Sequence, residues 1–181
     1  MRRKFSASHF WKDVKKYNVT AFGYVGELCR YLVNQPPQPE EKNNSVQKIF
    51  GNGLRRNIWM EFKNLFGISI IQEFYAASEG NIAFVNMMNL NCTVGIGFAP
   101  YALIRYDVDN DEPVREANGF LQPVKKGEAG LLLGKIDEKN RFVGYTSKEA
   151  SEKKILWDVL EKGDAWFNTG DLFKEIGYKH A

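Results

Sequence analysis

The chain has 181 residues, of which 44% are hydrophobic and 26% charged, with a formal net charge of +3. That balance excludes a disordered or fibrous protein and allows one ordinary domain or two small subdomains. A charge of +3 is too small to argue for nucleic acid, and the pairs Arg2-Arg3, Arg55-Arg56, Lys125-Lys126 and Lys153-Lys154 are scattered among acids.

In chain order, Phe5–Tyr17 reads as a short amphipathic helix, with Phe10, Trp11 and Val14 apolar and Ser6 or Ser8 as N-cap. Val19–Val25 is apolar and β-rich, which suits a buried strand. Glu27–Val33 follows with Leu28, Tyr31 and Leu32 at helical spacing. Asn34–Asn44 is a loop by its prolines and polar residues. Val46–Phe50 is a second strand, ending in Gly51-Asn52-Gly53. Leu54–Phe66 carries Leu54, Ile58, Phe62, Leu65 and Phe66 on one face, and Gly67 closes it. Ile68–Phe74 is a third strand. This strand-to-helix rhythm predicts part of an open, largely parallel sheet over residues 1–95, whose ligands sit outside the carboxyl ends of the strands.

Beyond Val94 the pattern changes. Ala102–Val108, Phe120–Val124, Gly130–Ile136, Arg141–Val143, Ala165–Asn168 and Leu172–Ile176 are short strands separated by tight polar turns. Over residues 96–181 they predict a small antiparallel, barrel-like subdomain, interrupted by one helix over Ser147–Leu160. The fold class is therefore α/β, a partial and mostly parallel sheet followed by an antiparallel subdomain.

No apolar run approaches the roughly 18 residues needed to span a bilayer, and no apolar signal core follows the basic Met1–Lys4. Cys29 and Cys92 lie far apart without metal spacing. They read as two reduced thiols in a reducing compartment, with one long-range disulfide as the other reading. His9 and His180, near opposite ends, have no carboxylate or cysteine constellation around them in sequence. Gly95-Ile96-Gly97 lacks the third glycine of a dinucleotide fingerprint and reads as a bend between the two sheets.

Three stretches can carry chemistry. Gly51-Asn52-Gly53 lets the backbone turn sharply and a flat ligand approach the main chain, although Asn-Gly turns also occur simply as turns. In Tyr75-Ala76-Ala77-Ser78-Glu79-Gly80-Asn81 the tyrosine offers a stacking face. Ala76 and Ala77 leave room, Ser78 is a phosphate donor, and Glu79 suits Mg²⁺, which binds through one or two carboxylates plus substrate phosphates. Thr169-Gly170-Asp171 presents a carboxylate on a glycine turn, suited to ribose hydroxyls.

Taken in order, these stretches resemble the adenylate-forming superfamily of acyl-CoA synthetases, luciferases and adenylation domains. Gly51-Asn52-Gly53 resembles its adenine-lining turn, and Tyr75–Glu79 its Tyr-Gly-x-Thr-Glu motif, with Ser78 keeping the hydroxyl. Gly127–Leu132 resembles its Gly-Glu strand motif, and Asn168–Asp171 its Thr-Gly-Asp motif. Val25–Leu32, Gly51–Arg55, Glu73–Asn81 and Tyr106–Arg115 are similar to the very-long-chain acyl-CoA synthetases and fatty acid transport proteins, over nearly the whole chain.

The resemblance implies ATP or AMP, Mg²⁺ and coenzyme A as nucleotide, metal and co-substrate, with a fatty acid as acyl donor. It implies that Gly51, Asn52, Gly53 and Tyr75 contact adenine, Ser78 the α-phosphate, Glu79 Mg²⁺ and Asp171 the ribose. Ser78 and Glu79 become the catalytic pair, and Tyr24, Val25 and Gly26 fall where an acyl pocket lies. No stretch matches the family's phosphate loop with its lysine, nor its hinge and lid. The chain thus reads as an internal slice of the large domain, inactive alone. Cytoplasmic residence or peripheral attachment at the cytoplasmic face of a membrane is expected, with room for a homo-oligomer. The competing readings are a non-catalytic nucleotide- or acyl-binding module, and a structural domain with unused motifs.

Overall fold

A computed structural model describes residues 4–77 and 79–177. The expected roles of Ser78, His180 and the Arg2-Arg3 pair lie outside the described residues. The chain forms two compact bodies. One runs through Tyr75 and resumes over Phe84–Ile96; the other takes Ala76–Ala83 and the chain from Gly97 onward.

In the first body, α1 (Ala7–Lys16) leads into β1 (Ala21–Val25), α2 (Gly26–Val33), α3 (Pro39–Lys42), β2 (Lys48–Asn52), α4 (Arg56–Leu65) and β3 (Ile70–Ala76). Strands β1, β2 and β3 pair in parallel. Two short strands, β4 (Ala83–Val85) and β5 (Ile96–Gly97), extend the sheet in the order β1-β2-β3-β4-β5. The alternation of strand side chains decides which face is covered. Tyr24, Ile49 and Ile71 point into one cluster with Trp11 and Val14 of α1, Cys29 and Leu32 of α2, and Trp59 and Phe62 of α4. Val25, Phe50 and Ile70 remain exposed, and Phe50 stacks on Phe74 at 5.0 Å.

Both long helices of this body end by the same device. Asn18 and Gly67 stand in the left-handed region at φ 48° and 66°. Val19 and Ile68 then donate back to the carbonyls of Val14 and Lys63 at 3.0 Å each, a Schellman closure. The Asn34–Asn44 segment is not loop throughout, since Pro39 at the first helical position starts the single turn of α3.

The second body holds β6 (Tyr101–Ile104), β7 (Tyr106–Asp107), β8 (Glu112–Pro113), β9 (Ala129–Ile136), α5 (Lys148–Glu152), β10 (Ile155–Trp157) and β11 (Ala165–Lys174). Its main sheet is antiparallel, in the order β10-β11-β9-β6, and β7 and β8 pair separately. Leu131, Leu133, Ile104, Leu121, Val159 and Trp166 form its core.

Several expected elements change here. The helix expected to reach Leu160 stops at Glu152, because Ile155, Leu156 and Trp157 pair with Phe167, Trp166 and Ala165 instead. Ser147 does cap it, accepting the Ala150 amide at 3.3 Å. Phe120–Val124 makes only isolated bridges, since Pro123 has no N–H to give to a ladder. Arg141–Val143 forms no strand. Ala102–Val108 breaks at Arg105 into β6 and β7. The two strands expected on either side of Thr169–Asp171 are one strand, β11, with a bulge.

Candidate functional site

The predicted residues fall at the carboxyl ends of β1, β2 and β3 in the first body, and around β11 in the second. In the first body, Tyr24, Gly51 and Glu73 occupy one row across three parallel strands, Tyr24 opposite Gly51 and Gly51 opposite Glu73. Gly51 is a glycine for a physical reason. A Cβ there would lie 2.1 Å from the Tyr24 carbonyl oxygen and 2.7 Å from its ring. The Tyr24 ring therefore passes over β2, and its hydroxyl donates to Oε2 of Glu73. The other oxygen of Glu73 accepts the Leu54 amide at 3.3 Å.

The turn itself is packed from the other side. Gly26 opens α2 directly after β1, and a Cβ on it would fall 1.6 Å from the Gly53 carbonyl oxygen. Gly53 takes φ +75°, a conformation that favours glycine. Gly51, Asn52 and Gly53 are thus wedged between the start of α2 and the end of β3. Val25 alone of the Tyr24-Val25-Gly26 trio is open, at 56% exposure. Tyr75, at the end of β3, has Phe84 6.2 Å away as a ring neighbour.

Glu73 was not among the predicted residues. It is 2% exposed, and burial pushes its carboxyl above the ordinary range, against the Tyr24 hydroxyl and the backbone N–H groups that favour the charged form. Burial raises the Tyr24 hydroxyl strongly, with Glu73 adding to it, and pushes the Cys29 thiol up to about 12. The available signal was an acid two residues after Ile71, on the same face by strand alternation, and one residue before the aromatic pair Phe74-Tyr75.

In the second body, Glu79, Gly80 and Asn81 lie against β9 and β11. A Cβ on Gly80 would come 2.8 Å from the Phe167 ring. The Asn81 side chain donates to the carbonyls of Lys135 at 2.7 Å and Asn140 at 3.0 Å. Tyr145, also unpredicted, donates its hydroxyl to Oε1 of Glu79 at 2.9 Å, and that hydrogen bond raises the tyrosine's own pKa.

Asp171 is positioned by the bulge. Asn168 pairs with Leu133 and Leu172 with Leu131, so Thr169, Gly170 and Asp171 face the single residue Leu132. Thr169 Oγ1 donates to the Leu132 carbonyl at 2.8 Å and accepts the Asp171 amide at 3.1 Å. Gly170 turns at φ +80°, and the Asp171 residue is exposed. Gly127, at φ +86°, opens the turn before β9, and Glu128 accepts the Lys125 amide at 3.1 Å. That Gly-Glu stretch thus starts a core strand.

Among the described residues no group of three or more His, Cys, Asp or Glu could hold a metal. Glu79 fits Mg²⁺ only in the mode that shares the ion with substrate phosphates. Both cysteines are free thiols, Cys29 buried and Cys92 partly so. A groove of about 610 Å³ beside α1 is lined by Lys4, Phe5, Phe10, Tyr17 and Phe22, and shares no residue with the predicted site. Among the described residues no helix is long and apolar enough to cross a membrane.

Over 179 residues the chain is 48% identical to a medium/long-chain-fatty-acid–CoA ligase of Mycobacterium tuberculosis, covering 99% of this chain and 30% of the relative. It is 49% identical to long-chain fatty acid transport protein 2 of Rattus norvegicus, covering 95% of this chain and 29% of that one. The chain therefore spans about three tenths of the length of these curated relatives. A crystal structure of an ATP-bound RpMatB-BxBclM chimera shares the fold, with TM-score 0.62 at 18% identity, over 94% of this chain and 31% of that one. Residues 1–132 match the AMP-binding enzyme family, and the near-half identity runs on beyond them, so the chain belongs to that family.

Proposed function

We propose that this chain supplies the adenosine- and metal-binding part of an ATP-dependent long- or very-long-chain fatty acyl-CoA ligase. The reaction is attack of a fatty carboxylate on the α-phosphate of ATP, giving acyl-AMP and pyrophosphate, followed by attack of the coenzyme A thiol on the acyl carbon, which forms the thioester and releases AMP. The observation that carries the reading is the 48% identity, over 179 residues, to a relative named as a fatty acid–CoA ligase.

Each role follows from what a residue offers. The exposed Gly53 presents bare main chain to the adenine edge, with Asn52 beside it and Gly51 buried behind, and Tyr75 presents a ring face to stack on it. Asp171, carried outward by the bulge of β11, accepts hydrogen bonds from the ribose hydroxyls. Ser78 donates to the α-phosphate. Glu79 supplies a carboxylate oxygen to Mg²⁺, which when bound neutralises phosphate charge. Val25, flanked by Tyr24 and Gly26, lines the acyl group with apolar surface.

Residues 1–95 and 96–181 serve as the adenine-binding and the β-rich subdomain of the larger domain. Peripheral contact with a membrane at its cytoplasmic face belongs to the same reading. Relatives are named long-chain fatty acid transport proteins, and Met87 and Met88 are 68% and 63% exposed. The uncovered sheet face with Phe50 and Ile70 offers a surface for self-association.

Titration of the 181-residue chain with AMP, followed by calorimetry, tests the nucleotide assignment. Saturable binding, weakened about tenfold in Asp171→Ala, is expected for loss of a charge-assisted contact to the ribose. Absence of AMP binding, or an Asp171→Ala variant that binds as the parent does, defeats it.

A further inference from the structure

We propose that Glu73 is the positioning residue of the nucleotide turn: reached by Tyr24 across the bare backbone of Gly51, its carboxylate holds Gly51–Leu54 in the form that receives adenine. This rests on the adenine reading of Gly51–Gly53 given above.

A carboxylate at 2% exposure inside a parallel sheet is costly, and an apolar side chain of similar volume would serve packing better. Among the described residues no ion pair brings a cation to Glu73, and its side-chain hydrogen bonds come from a phenol and a backbone amide. What Glu73 has instead is donors from two directions. The Tyr24 hydroxyl comes from β1, and the Leu54 amide comes from the residue after the turn, with the Gly53 N–H favouring the same charge. A carboxylate has acceptor sites for all of them, whereas a hydroxyl or an amide side chain lacks the capacity. Its side chain thus joins β1, β3 and the chain leaving β2.

The row works only with glycine in the middle. The Tyr24 ring occupies the space a Cβ on Gly51 would need, so the buried residue that begins the nucleotide turn also lets the brace through. On the far side Gly26 stands against the Gly53 carbonyl with no room for a methyl group. Braced on both sides, the turn needs little rearrangement when a ligand arrives, and rigidity of this kind contributes affinity.

The test uses the full chain and three variants, Glu73→Ala, Glu73→Gln and Tyr24→Phe, with two measurements on each. Amide exchange at Leu54 without nucleotide reads the brace, and calorimetric titration with AMP reads its consequence for binding. Glu73→Ala should speed Leu54 exchange and weaken AMP about tenfold, Tyr24→Phe about threefold, and Glu73→Gln, which keeps one acceptor, should fall between parent and alanine. A merely structural role would lower the unfolding midpoint and leave AMP affinity alone in protein that is still folded. Affinity within twofold of the parent in folded Glu73→Ala, or in Tyr24→Phe if the alanine variant does not fold, overturns the proposal. Failure of the parent chain to bind AMP is visible before any variant is made. It overturns the adenine reading and the positioning role with it, while Leu54 exchange reports separately whether the brace exists.

Discussion

The hydroxyl of Tyr145 donates to Oε1 of Glu79 at 2.9 Å, across 66 residues of sequence. The bond ties the segment before α5 to the acid expected to meet Mg²⁺, and the Gly144 amide reinforces it by donating to the Glu79 carbonyl at 3.4 Å. A hydrogen bond into a carboxylate oxygen draws charge from it, so the phenol and a cation compete for the same lone pairs. Replacing Tyr145 by Phe should lower the Mg²⁺ concentration that half-saturates ATP binding by about threefold. Titrating Mg²⁺ at fixed ATP checks this, and an unmoved midpoint would remove Tyr145 from the metal site.

The two glycines of the turn should respond differently to alanine. At Gly51 the new methyl meets Tyr24 at 2.1 Å and must displace strand backbone, so a loss of about 3 kcal/mol is expected. At Gly53 the nearest atom is 3.8 Å away and the strain is that of φ +75° alone, about 1–2 kcal/mol. Urea unfolding of the two variants measures the difference. Equal losses would show that Tyr24 has room to move aside.

Glu73 gives stability a pH dependence of unusual sign. Its carboxyl is raised above the ordinary value of 4.5 by burial, so between that value and its folded-state value the native chain binds the extra proton. Its contribution is complete below about pH 4.5 and is lost as pH rises through the folded pKa. The groups facing it are the Tyr24 hydroxyl on β1, the Cys29 thiol on α2 and the backbone N–H groups of Gly53 and Leu54. Asp164, Asp137 and Asp107, held below their ordinary range, act in the opposite direction and are common to parent and variant. The stability of the parent minus that of Glu73→Gln should therefore fall from about pH 4.5 upward and then level off. Urea midpoints across this range decide it, and a flat or rising difference contradicts the assignment.

Asp164 closes the loop between β10 and β11. Its carboxylate accepts the amides of Val159 at 2.6 Å, Leu160 at 3.0 Å and Glu161 at 3.2 Å, and the Trp166 indole at 2.7 Å. Burial pushes this carboxyl up, and the four donors more than offset it, leaving its pKa low. Asp164→Ala orphans all four and should destabilise the chain by about 3 kcal/mol, with Asp164→Asn losing roughly half as much. Urea unfolding of the variants measures the change.

Much of the first body was legible because its signals are local. A one-sided apolar stripe over Ile58, Phe62 and Leu65 and a glycine at the helix end specify α4, and an apolar β-rich run specifies β1. Gly51–Gly53 and Tyr75–Glu79 likewise lie within the stretch that matches the family, and their order and type are readable without coordinates. Where the reading failed, the deciding partner was remote. Leu156 falls on one helical face with Ala150, Val159 and Leu160, and only the presence of Ala165–Phe167 alongside Ile155–Trp157 selects the strand.

The sequence by itself determined the alternation of strands and helices, the change to short antiparallel strands, and the residue types at the turns, since backbone preference and periodicity act over a few neighbours. Tertiary structure alone decided what those types are for. Gly51 is bare because Tyr24 crosses it, Glu73 is buried because donors from β1 and from the end of β2 converge on it, and Asp171 is exposed because β11 carries extra residues opposite Leu132. Each of these depends on a contact between segments distant in the chain, and no local preference encodes such a contact.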